Sequence, residues 1–438
     1  MLKQEYLDQM KDLLGRDFDS YLEAMTLPPG RGFRVNTLKI SDEKLQQLLP
    51  FRMIHTGFAA HGYHLPEDYE LRRSLPYAAG LFYVQEPSAS AAVTALDPEP
   101  GMMVLDLCAA PGSKSTQIAE AMQNRGLLVA NEIHPKRARI LAENLEKCGA
   151  ANAMVLNADP SEIASAFPEA FDQVLCDAPC SGEGMFRKDP EAMDEWTPDS
   201  PRSCAIRQRS ILECAYQALK PGGTMVYSTC TFNLEENERN MIWFLSAHPD
   251  MEIAEIPAGF GRPGLLPGME KARRIFPMDG GEGHFICRMH RMPSKAAVFR
   301  PELLTGDHMP REGASALSDL LAEPYPYQLI RKDRIYISTM PFISAGRCHM
   351  LREGILAGEM RSGRFEPDHS LYMSSASHFT HAAELDDSQA WKYLAGEEIT
   401  LAAEKGYLAV SWNGYTLGFG KCDGRALKNK YPKEYRIR

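Results

Sequence analysis

In the middle of the chain, short apolar runs alternate with longer amphipathic stretches. The runs MVLDLC, LLVANE, AMVLNAD and FDQVLCDAP begin at positions 103, 127, 153 and 171 and are typical of buried strands. Between them, SKSTQIAEAMQ and PKRARILAENLEKCG have the apolar spacing of helices, and Gly149 ends the second of these. A helix near residues 201–219 and a turn and strand in PGGTMVYSTC continue the series. This order predicts an α/β fold whose parallel sheet carries helices on both faces.

The length of the chain indicates several domains, because 438 residues exceed what one compact core holds, and two to four domains are expected. The start, MLKQEYLDQMKDLLGRDF, has an amphipathic helix pattern that Lys and Asp interrupt, so it is unlike a signal peptide. No window approaches the roughly 18 apolar residues that span a bilayer. We therefore expect a globular cytoplasmic protein without a membrane partner.

Cysteine spacing and charge bear on whether the protein is disulfide-rich, metal-binding or nucleic-acid-binding. The ten cysteines form no CxxC pair and no disulfide-scaffold pattern, so we expect free thiols and no metal site. The net charge of -10 disfavours indiscriminate nucleic-acid binding. Residues 421–438, which we call the basic tail, nevertheless hold seven basic residues against two acidic ones. The basic residues of the tail are Lys421, Arg425, Lys428, Lys430, Lys433, Arg436 and Arg438.

Chemically distinctive residues stand where the predicted strands end, which is where parallel sheets bind ligands. The small residues of the first loop, DLCAAPGSKSTQ, allow close approach to a ligand, and this loop matches neither the GxxxxGK[ST] nor the GxGxxG phosphate motif. Glu132 ends the second strand, where an acid binds ribose hydroxyls, and Asp159 ends the third, beside an adenine ring. Ribose and adenine without a phosphate loop suggest S-adenosylmethionine. Alternatively, both acids cap the helices that follow them.

Two cysteines also stand at predicted strand ends. Cys180 follows the turn Asp177-Ala178-Pro179, and Cys230 ends the strand YSTC. Adjacent parallel strands would bring both sulfurs to one edge of the sheet, although buried inert thiols are the alternative. A methyl donor needs a thiolate when its target is C5 of cytosine, because addition at C6 makes C5 nucleophilic. A carboxylic acid near N3, here Asp177, would stabilise the charge that develops. The residues alone leave open which cysteine attacks.

Three motifs, DLCAAPGSKSTQIAE, CDAPCSGEGMFRKDP and YSTCTFNLEENE, resemble those of the Sun/Fmu-type RNA cytosine-C5 methyltransferases. RGFRVNTLK and GLFYVQEPSAS are similar to segments that precede the catalytic core in that family. The ending GYTLGFGKCDGRALKNKYPKEYRIR resembles the PUA-like domain of its ribosomal RNA small subunit methyltransferase F branch. The resemblance implies a Rossmann-like class I methyltransferase core with a mostly parallel seven-stranded sheet. It also implies an N-terminal RNA-binding domain over residues 1–75, the core over 76–292, an intermediate domain over 293–365 and the PUA-like domain over 366–438.

The same resemblance implies the roles of the site residues. The loop around the methionine part of S-adenosylmethionine would consist of Cys108, Ala109, Ala110, Pro111, Gly112, Ser113 and Lys114. Glu132 would bind the ribose, Asp159 the adenine, and Asp177 would lie between cofactor and base. Cys230 would be the nucleophile, and Cys180 would assist product release. One departure is Ser113, which replaces the second glycine of the family loop; we expect cofactor binding to persist because serine suits a helix N-terminus.

RNA contacts are predicted in two places. Arg187 and Lys188 could bind phosphates and Phe186 could stack on a base, although solvated surface charge is the alternative. In the basic tail, the candidates are Lys428, Lys430, Lys433 and Arg436, which lie among Tyr431 and Tyr435.

These features predict an RNA cytosine-C5 methyltransferase that acts as a monomer on small-subunit ribosomal RNA, naked or in an assembling subunit. A transfer RNA methyltransferase and a non-catalytic RNA-binding assembly factor are the alternatives. The two thiols with Asp177 disfavour the non-catalytic factor. A DNA cytosine methyltransferase is disfavoured because its Pro-Cys site does not explain the Ser-Thr-Cys strand end or the tail.

Overall fold

The computed structural model describes residues 2–294 and 299–437. Its N-terminal part is built on a three-stranded antiparallel sheet in the order β2-β1-β3. Phe33 of the central strand lies on Tyr63 and Phe82, so aromatic pairs across the strands form the core of this part. The elements are α1 (Gln4–Leu14), α2 (Phe18–Thr26), β1 (Gly32–Val35), α3 (Asp42–Leu48), β2 (Gly62–His64), α4 (Leu75–Ala78) and β3 (Phe82–Gln85).

The central part alternates strands and helices, as the sequence predicts. Its first elements are α5 (Ala91–Leu96), β4 (Met103–Asp106), α6 (Ser113–Met122), β5 (Leu127–Asn131), α7 (Pro135–Cys148), β6 (Ala153–Asn157), α8 (Pro160–Ala166) and β7 (Phe171–Asp177). They are followed by α9 (Pro190–Glu195), α10 (Ser200–Ala218), β8 (Leu219–Thr229), α11 (Glu238–Ala247), β9 (Met251–Ile253), β10 (Arg262–Pro263), β11 (Arg273–Ile275) and β12 (His284–Arg291).

The C-terminal part contains two further sheets. Its elements are α12 (Arg311–Leu320), β13 (Tyr327–Arg331), β14 (Arg334–Ser338), β15 (His349–Glu353), β16 (Ile355–Arg361), β17 (Arg364–Pro367), α13 (His369–Met373), β18 (Ala382–Leu385), α14 (Asp387–Ala395), β19 (Ile399–Thr400), β20 (Gly406–Trp412), β21 (Tyr415–Cys422) and β22 (Ala426–Asn429). The strand orders are β13-β14-β16-β17 and β18-β20-β21-β22-β19.

The central sheet has the order β10-β11-β12-β8-β7-β4-β5-β6-β15, with β9 paired to β12. The strands from β6 to β8 run parallel, and β12 and β15 join them antiparallel. The predicted α/β fold is therefore confirmed, with ten strands where seven were expected. The additional strands lie at the two edges of the sheet: β15 pairs with the free edge of β6, and the short strands β10 and β11 extend the opposite edge.

Helices cover both faces of this sheet. Successive residues of a strand point to opposite faces, and here the residues on both faces are apolar and need a helix to bury them. In β4, Val104 packs in the apolar core that holds Ile118 of α6 and Leu141 of α7. Leu105, the next residue, packs in the core on the other face. One boundary differs from expectation: the predicted turn at the start of PGGTMVYSTC lies within β8, whose ladder with β7 shifts between Phe171 and Gln173. Within the described residues, no helix is long and apolar enough to cross a membrane.

Candidate active site

The segment from Cys108 to Lys114 follows the end of β4 and includes the first two residues of α6. Gly112 caps the helix with a φ of 114°, a conformation that side chains rarely adopt. A Cβ at this position would lie 3.2 Å from Cδ1 of Leu141. The backbone therefore turns tightly here, and the first N–H groups of α6 stay available to a ligand.

Lys114 and Asp177 form an ion pair across the site, with 2.8 Å between Nζ and Oδ2. The side chain of Lys114 is 10% exposed and that of Asp177 is 28% exposed. The hydroxyl of Ser228 donates to the other carboxylate oxygen of Asp177 at 2.7 Å. Burial would raise the pKa of Asp177, but Lys114 and Ser228 outweigh it and hold the pKa below its usual range. Asp177 is therefore a carboxylate at neutral pH.

Asp106, at the end of β4, is a buried acid that the sequence analysis did not single out. The hydroxyl of Ser115 donates to its Oδ2 at 2.6 Å, while Oδ1 has no hydrogen-bond partner among the described residues. Burial raises the pKa of Asp106 to about 7. Its unpartnered oxygen leaves one buried acceptor beside the loop for a ligand to satisfy.

Glu132 and Asp159 follow the adjacent parallel strands β5 and β6, as predicted. Glu132 is 3% exposed and accepts from the backbone of His134 at 2.9 Å, and Asp159 caps α8 by accepting from Ser161 at 2.9 Å. Asp159 thus has the capping role that was the alternative interpretation, whereas Glu132 lies two residues before the cap residue of α7 and pairs with Arg137 at 3.3 Å. These contacts leave further lone pairs on each carboxylate, so they are compatible with a second hydrogen bond to a ligand.

The sulfurs of Cys180 and Cys230 lie 3.3 Å apart. They meet because β7 and β8 are parallel neighbours in which Asp177 pairs with Ser228, and each cysteine lies just beyond its strand. The hydrogen bond to Cys230, together with burial, raises the pKa of Cys180 well above its ordinary value. Cys180 therefore keeps its proton at neutral pH, and its sulfur lies within hydrogen-bond distance of the sulfur of Cys230.

Several polar residues of the site were not predicted. Glu183 and Glu236 lie in the loops that carry the cysteines and are 1% and 0% exposed. His284, the first residue of β12, contacts the Ser88 hydroxyl through Nδ1 at 2.9 Å. Burial lowers the pKa of His284 to about 4, so the ring is neutral. The acids within CSGEG and NLEENE were visible in the motifs, whereas nothing local in the sequence indicated His284.

The prediction that Arg187 contacts RNA is corrected by the structure. Its side chain is 9% exposed, and its guanidinium pairs with Glu282 at 2.8 Å and donates to the carbonyl of Ala24 at 2.8 Å. Phe186 is also buried, with its ring centroid 5.0 Å from that of Tyr6. Both side chains therefore hold the loop after Cys180 against the N-terminal helices. Lys188 is half-buried and stays a candidate.

The basic tail is only partly as expected. Lys428, Lys430 and Lys433 are exposed, whereas the guanidinium of Arg436 packs over Gly396. This packing corrects the prediction for Arg436, whose position is fixed by contacts within the protein. Tyr431 and Tyr435 also face inward, with ring centroids 5.5 and 5.9 Å from that of His369. Arg438 lies outside the described residues.

Comparison with known families assigns these parts. The family "16S rRNA methyltransferase RsmB/F" matches residues 93–290. The "N-terminal domain of 16S rRNA methyltransferase RsmF" matches residues 2–87, and the "Methyltransferase RsmF PUA domain" matches residues 380–437. The chain is 34% identical to the Ribosomal RNA small subunit methyltransferase F of Salmonella paratyphi A, over 98% of this chain and 95% of that protein. The chain belongs to the RsmB/F family of methyltransferases.

Other relatives agree with this assignment to RsmB/F. The methyltransferase F of Salmonella arizonae is also 34% identical, over 98% of this chain and 95% of that protein. A methyltransferase homolog from Pyrococcus horikoshii is 32% identical, with a TM-score of 0.60 over 66% of this chain and 95% of the other. NSun6 from the same organism, solved with SFG, shares the fold at 23% identity, with a TM-score of 0.59 over 67% and 99%.

Membership of the RsmB/F family confirms the predicted family, the PUA domain, the enzyme class and the methyl donor, S-adenosylmethionine. The residues present fit that group. Gly112 allows close backbone approach, Asp106 offers an unpartnered buried oxygen, and Glu132 stands at the end of β5. The individual roles of the loop residues, Glu132 and Asp159 stay predictions.

Proposed function

We propose that the protein methylates C5 of a cytosine in small-subunit ribosomal RNA through a covalent bond between Cys230 and C6. The observation that carries this proposal is the pair of sulfurs 3.3 Å apart, next to the ionised Asp177 at the ends of adjacent parallel strands. A methylation that needed no covalent adduct would not need a second thiol at this distance. The printed names of the relatives, which specify ribosomal RNA of the small subunit, support the substrate.

In the first step, the thiolate of Cys230 forms a bond to C6 of the cytosine, and electron density moves toward C5 and N3. N3 takes up the proton that the Cys230 thiol gives up, and Asp177, held as a carboxylate by Lys114 and Ser228, accepts hydrogen bonds from the amino group and from this N3–H. This differs from the expected neutral carboxylic acid, because the ion pair keeps the proton off Asp177. S-adenosylmethionine, when bound, supplies the methyl group that C5 takes.

Release then follows by elimination. The C5–H bond breaks and its electron pair forms the C5–C6 double bond as the bond to sulfur breaks, while the C5 proton and the proton on N3 pass to solvent. Cys230 leaves as a thiolate, and the S–H of Cys180 stabilises that charge from 3.3 Å away. The protonated state of Cys180 suits this role and does not suit nucleophilic attack.

The test uses RNA with 5-fluorocytosine, which has no C5 proton to lose and therefore retains the adduct. We expect wild-type protein to form a complex that survives denaturing electrophoresis, and Cys230→Ser to form none. Cys180→Ala should accumulate the complex on unmodified RNA, with one methyl group bound and little turnover. Persistence of the adduct in Cys230→Ser would transfer the attack to another residue, and free turnover in Cys180→Ala would remove its release role.

The finer identity of the substrate is also a proposal. We place the reaction in the cytoplasm, on naked RNA or an assembling subunit, with the protein acting as a monomer. Residues 1–75 and the exposed lysines of the basic tail would bind the RNA backbone. Bisulfite maps of ribosomal and transfer RNA from cells with and without the gene separate the two substrates. A lost site in transfer RNA alone would favour the alternative, and no lost site would favour a non-catalytic factor.

A further inference from the structure

Two buried carboxylates connect the loops that carry the cysteines. Glu183 lies three residues after Cys180 and is 1% exposed. Its Oε2 accepts from the backbone N–H of Phe232 at 2.8 Å and of Asn233 at 2.9 Å, the second and third residues after Cys230. One carboxylate oxygen of the first loop thus fixes the backbone of the second.

Glu236 makes the reciprocal connection. It lies six residues after Cys230, is fully buried, and its Oε2 accepts from the backbone N–H of Ser181 at 3.0 Å. The hydroxyl of Ser181 donates to the other oxygen of Glu236. Gln208 of α10 donates to Glu236 at 2.7 Å and holds the carboxylate in place. Ser181 directly follows Cys180, so this contact fixes the backbone next to the residue that carries the thiol.

Further contacts join the same two loops. The hydroxyls of Ser181 and Thr231 lie 2.9 Å apart, and the backbone N–H of Gly184 donates to the carbonyl of Cys230 at 2.9 Å. A Cβ on Gly184 would lie 3.0 Å from that carbonyl oxygen. The loops are therefore in close contact at Gly184, and the hydrogen bonds between them lie directly beside each cysteine.

We infer that Glu183 and Glu236 are positioning residues that hold the thiols of Cys180 and Cys230 at their working separation. The inference rests on the proposed function, in which both thiols act on one adduct. Neither carboxylate has to touch the substrate. Each acts through the other loop, because a carboxylate has about four acceptor sites and can fix several donors at once.

Glu183 also connects this arrangement to the N-terminal part. Its Oε1 accepts from the amide of Gln9 in α1 at 3.0 Å and from the indole of Trp196 at 3.2 Å. Removal of the Gln9 amide leaves the bonds from Glu183 to the second loop in place. Gln9→Leu should therefore have a smaller effect than any change of Glu183 itself.

The first test measures the geometry without RNA. We expect diamide to crosslink Cys180 and Cys230 readily in the wild type, as read by peptide mass spectrometry. Glu236→Ala and Glu183→Ala should slow this crosslinking, and Glu236→Gln should fall between them and the wild type because its amide retains one acceptor. Because this measurement needs no substrate, it stays informative even if the proposed RNA chemistry is wrong.

The second test measures catalysis. A reacting group displaced by about 1 Å can cost on the order of 100-fold in rate, so we expect kcat for methyl transfer to fall about 10- to 100-fold in the alanine variants. The KM for S-adenosylmethionine should stay within about twofold, because these residues do not line the cofactor loop. The matched control is Glu353→Gln, which changes a buried carboxylate paired with Arg331 in β13, away from the thiols.

Three results would overturn the inference. One is crosslinking at the wild-type rate in Glu236→Ala. Another is a fall of kcat in Glu353→Gln as large as that in Glu236→Gln. The third is a fall of kcat that simply follows the fraction unfolded by circular dichroism. If instead Cys230→Ser still forms the adduct, the proposed nucleophile is wrong, while the crosslinking result still decides whether the carboxylates position the thiols.

Discussion

Arg34→Met should destabilise the protein and weaken cofactor binding together. Arg34 is 2% exposed and projects from β1 onto α6. Its Nε donates to one oxygen of Glu120 at 2.6 Å and its Nη2 to the other at 3.1 Å. It also donates to the carbonyl of Ser113, in the cofactor loop, at 3.1 Å. One side chain thus joins the N-terminal sheet to the loop.

The size of the effect follows from burial. Removal of one partner of a buried pair costs about 3 to 5 kcal/mol, because the remaining charge stays desolvated. With about 2 to 4 °C per kcal/mol for a domain of 150 to 250 residues, the melting temperature should fall by about 6 to 20 °C. Loss of the bond to Ser113, worth about 1 kcal/mol, should raise the Kd for S-adenosylmethionine roughly fivefold.

The loss of stability in Arg34→Met should also depend on pH. Burial raises the pKa of Glu120 even with Arg34 beside it, and without Arg34 the pKa should rise further. A carboxyl whose pKa is higher in the folded state binds its proton more tightly there, so its destabilising effect declines as the pH falls. The destabilisation caused by Arg34→Met should therefore be smaller at pH 5 than at pH 8.

Scanning calorimetry at both pH values and titration calorimetry with S-adenosylmethionine measure these effects. The double variant Arg34→Met with Glu120→Leu should recover much of the loss, since an apolar pair can replace a buried ion pair. Arg334→Met is the control: its pair with Glu359 is exposed, and it should cost at most about 1 kcal/mol. The reasoning is refuted if Arg34→Met melts within 1 °C of wild type, or if the double variant is no better than the single one.

Three further predictions follow from local geometry. Gly184→Ala should lower methyl transfer strongly with little change in the Kd for S-adenosylmethionine, because the new Cβ presses on the carbonyl of Cys230; wild-type turnover would contradict this. Charge reversal of Lys428, Lys430 and Lys433, which are exposed in the basic tail, should lower the slope of log Kd for RNA against log salt by about 2 to 3, and an unchanged slope would exclude these lysines from binding. Because burial raises the pKa of Asp106 to about 7, the wild type should lose stability as the pH rises from 4 to about 7, and Asp106→Asn should remove this loss. Urea titrations of both proteins at pH 4 and pH 7 measure the free energy of unfolding. If the difference between the two pH values is the same in Asp106→Asn as in the wild type, Asp106 is not the group that titrates.

The part of the fold and site that could be predicted depends on local pattern and on one topological rule. Apolar runs and helix boundaries are local, which is why the limits of β4, α6 and α7 agree with the expectation to within two residues. The meeting of Cys180 and Cys230 required only that their strands be parallel neighbours. The placement of the loop over residues 108–114 and of Asp177 at one edge of the sheet follows in the same way, since parallel strands present their ends together, while the roles of these residues stay predictions.

The failures concern partners that are distant in sequence. Arg187 is indistinguishable from a surface cation until Glu282, 95 residues later, is brought beside it. Arg436 is likewise fixed by packing against Gly396, which the composition of the tail does not reveal. His284 became part of the site only because antiparallel β12 places it beside the end of β8. In each case, tertiary pairing decided what the charge or ring does.

The two carboxylates show how a non-local requirement can be met by local sequence. Two thiols at 3.3 Å need their loops fixed to each other, and neither loop can fix itself. Glu183 is in the first loop and bonds the second, whereas Glu236 is in the second and bonds the first. Each loop therefore carries one of the two thiols and the acceptor for the backbone of the other loop. A change in either loop should consequently displace both thiols, so a substitution of Glu183 or Glu236 should alter the positions of Cys180 and Cys230 together.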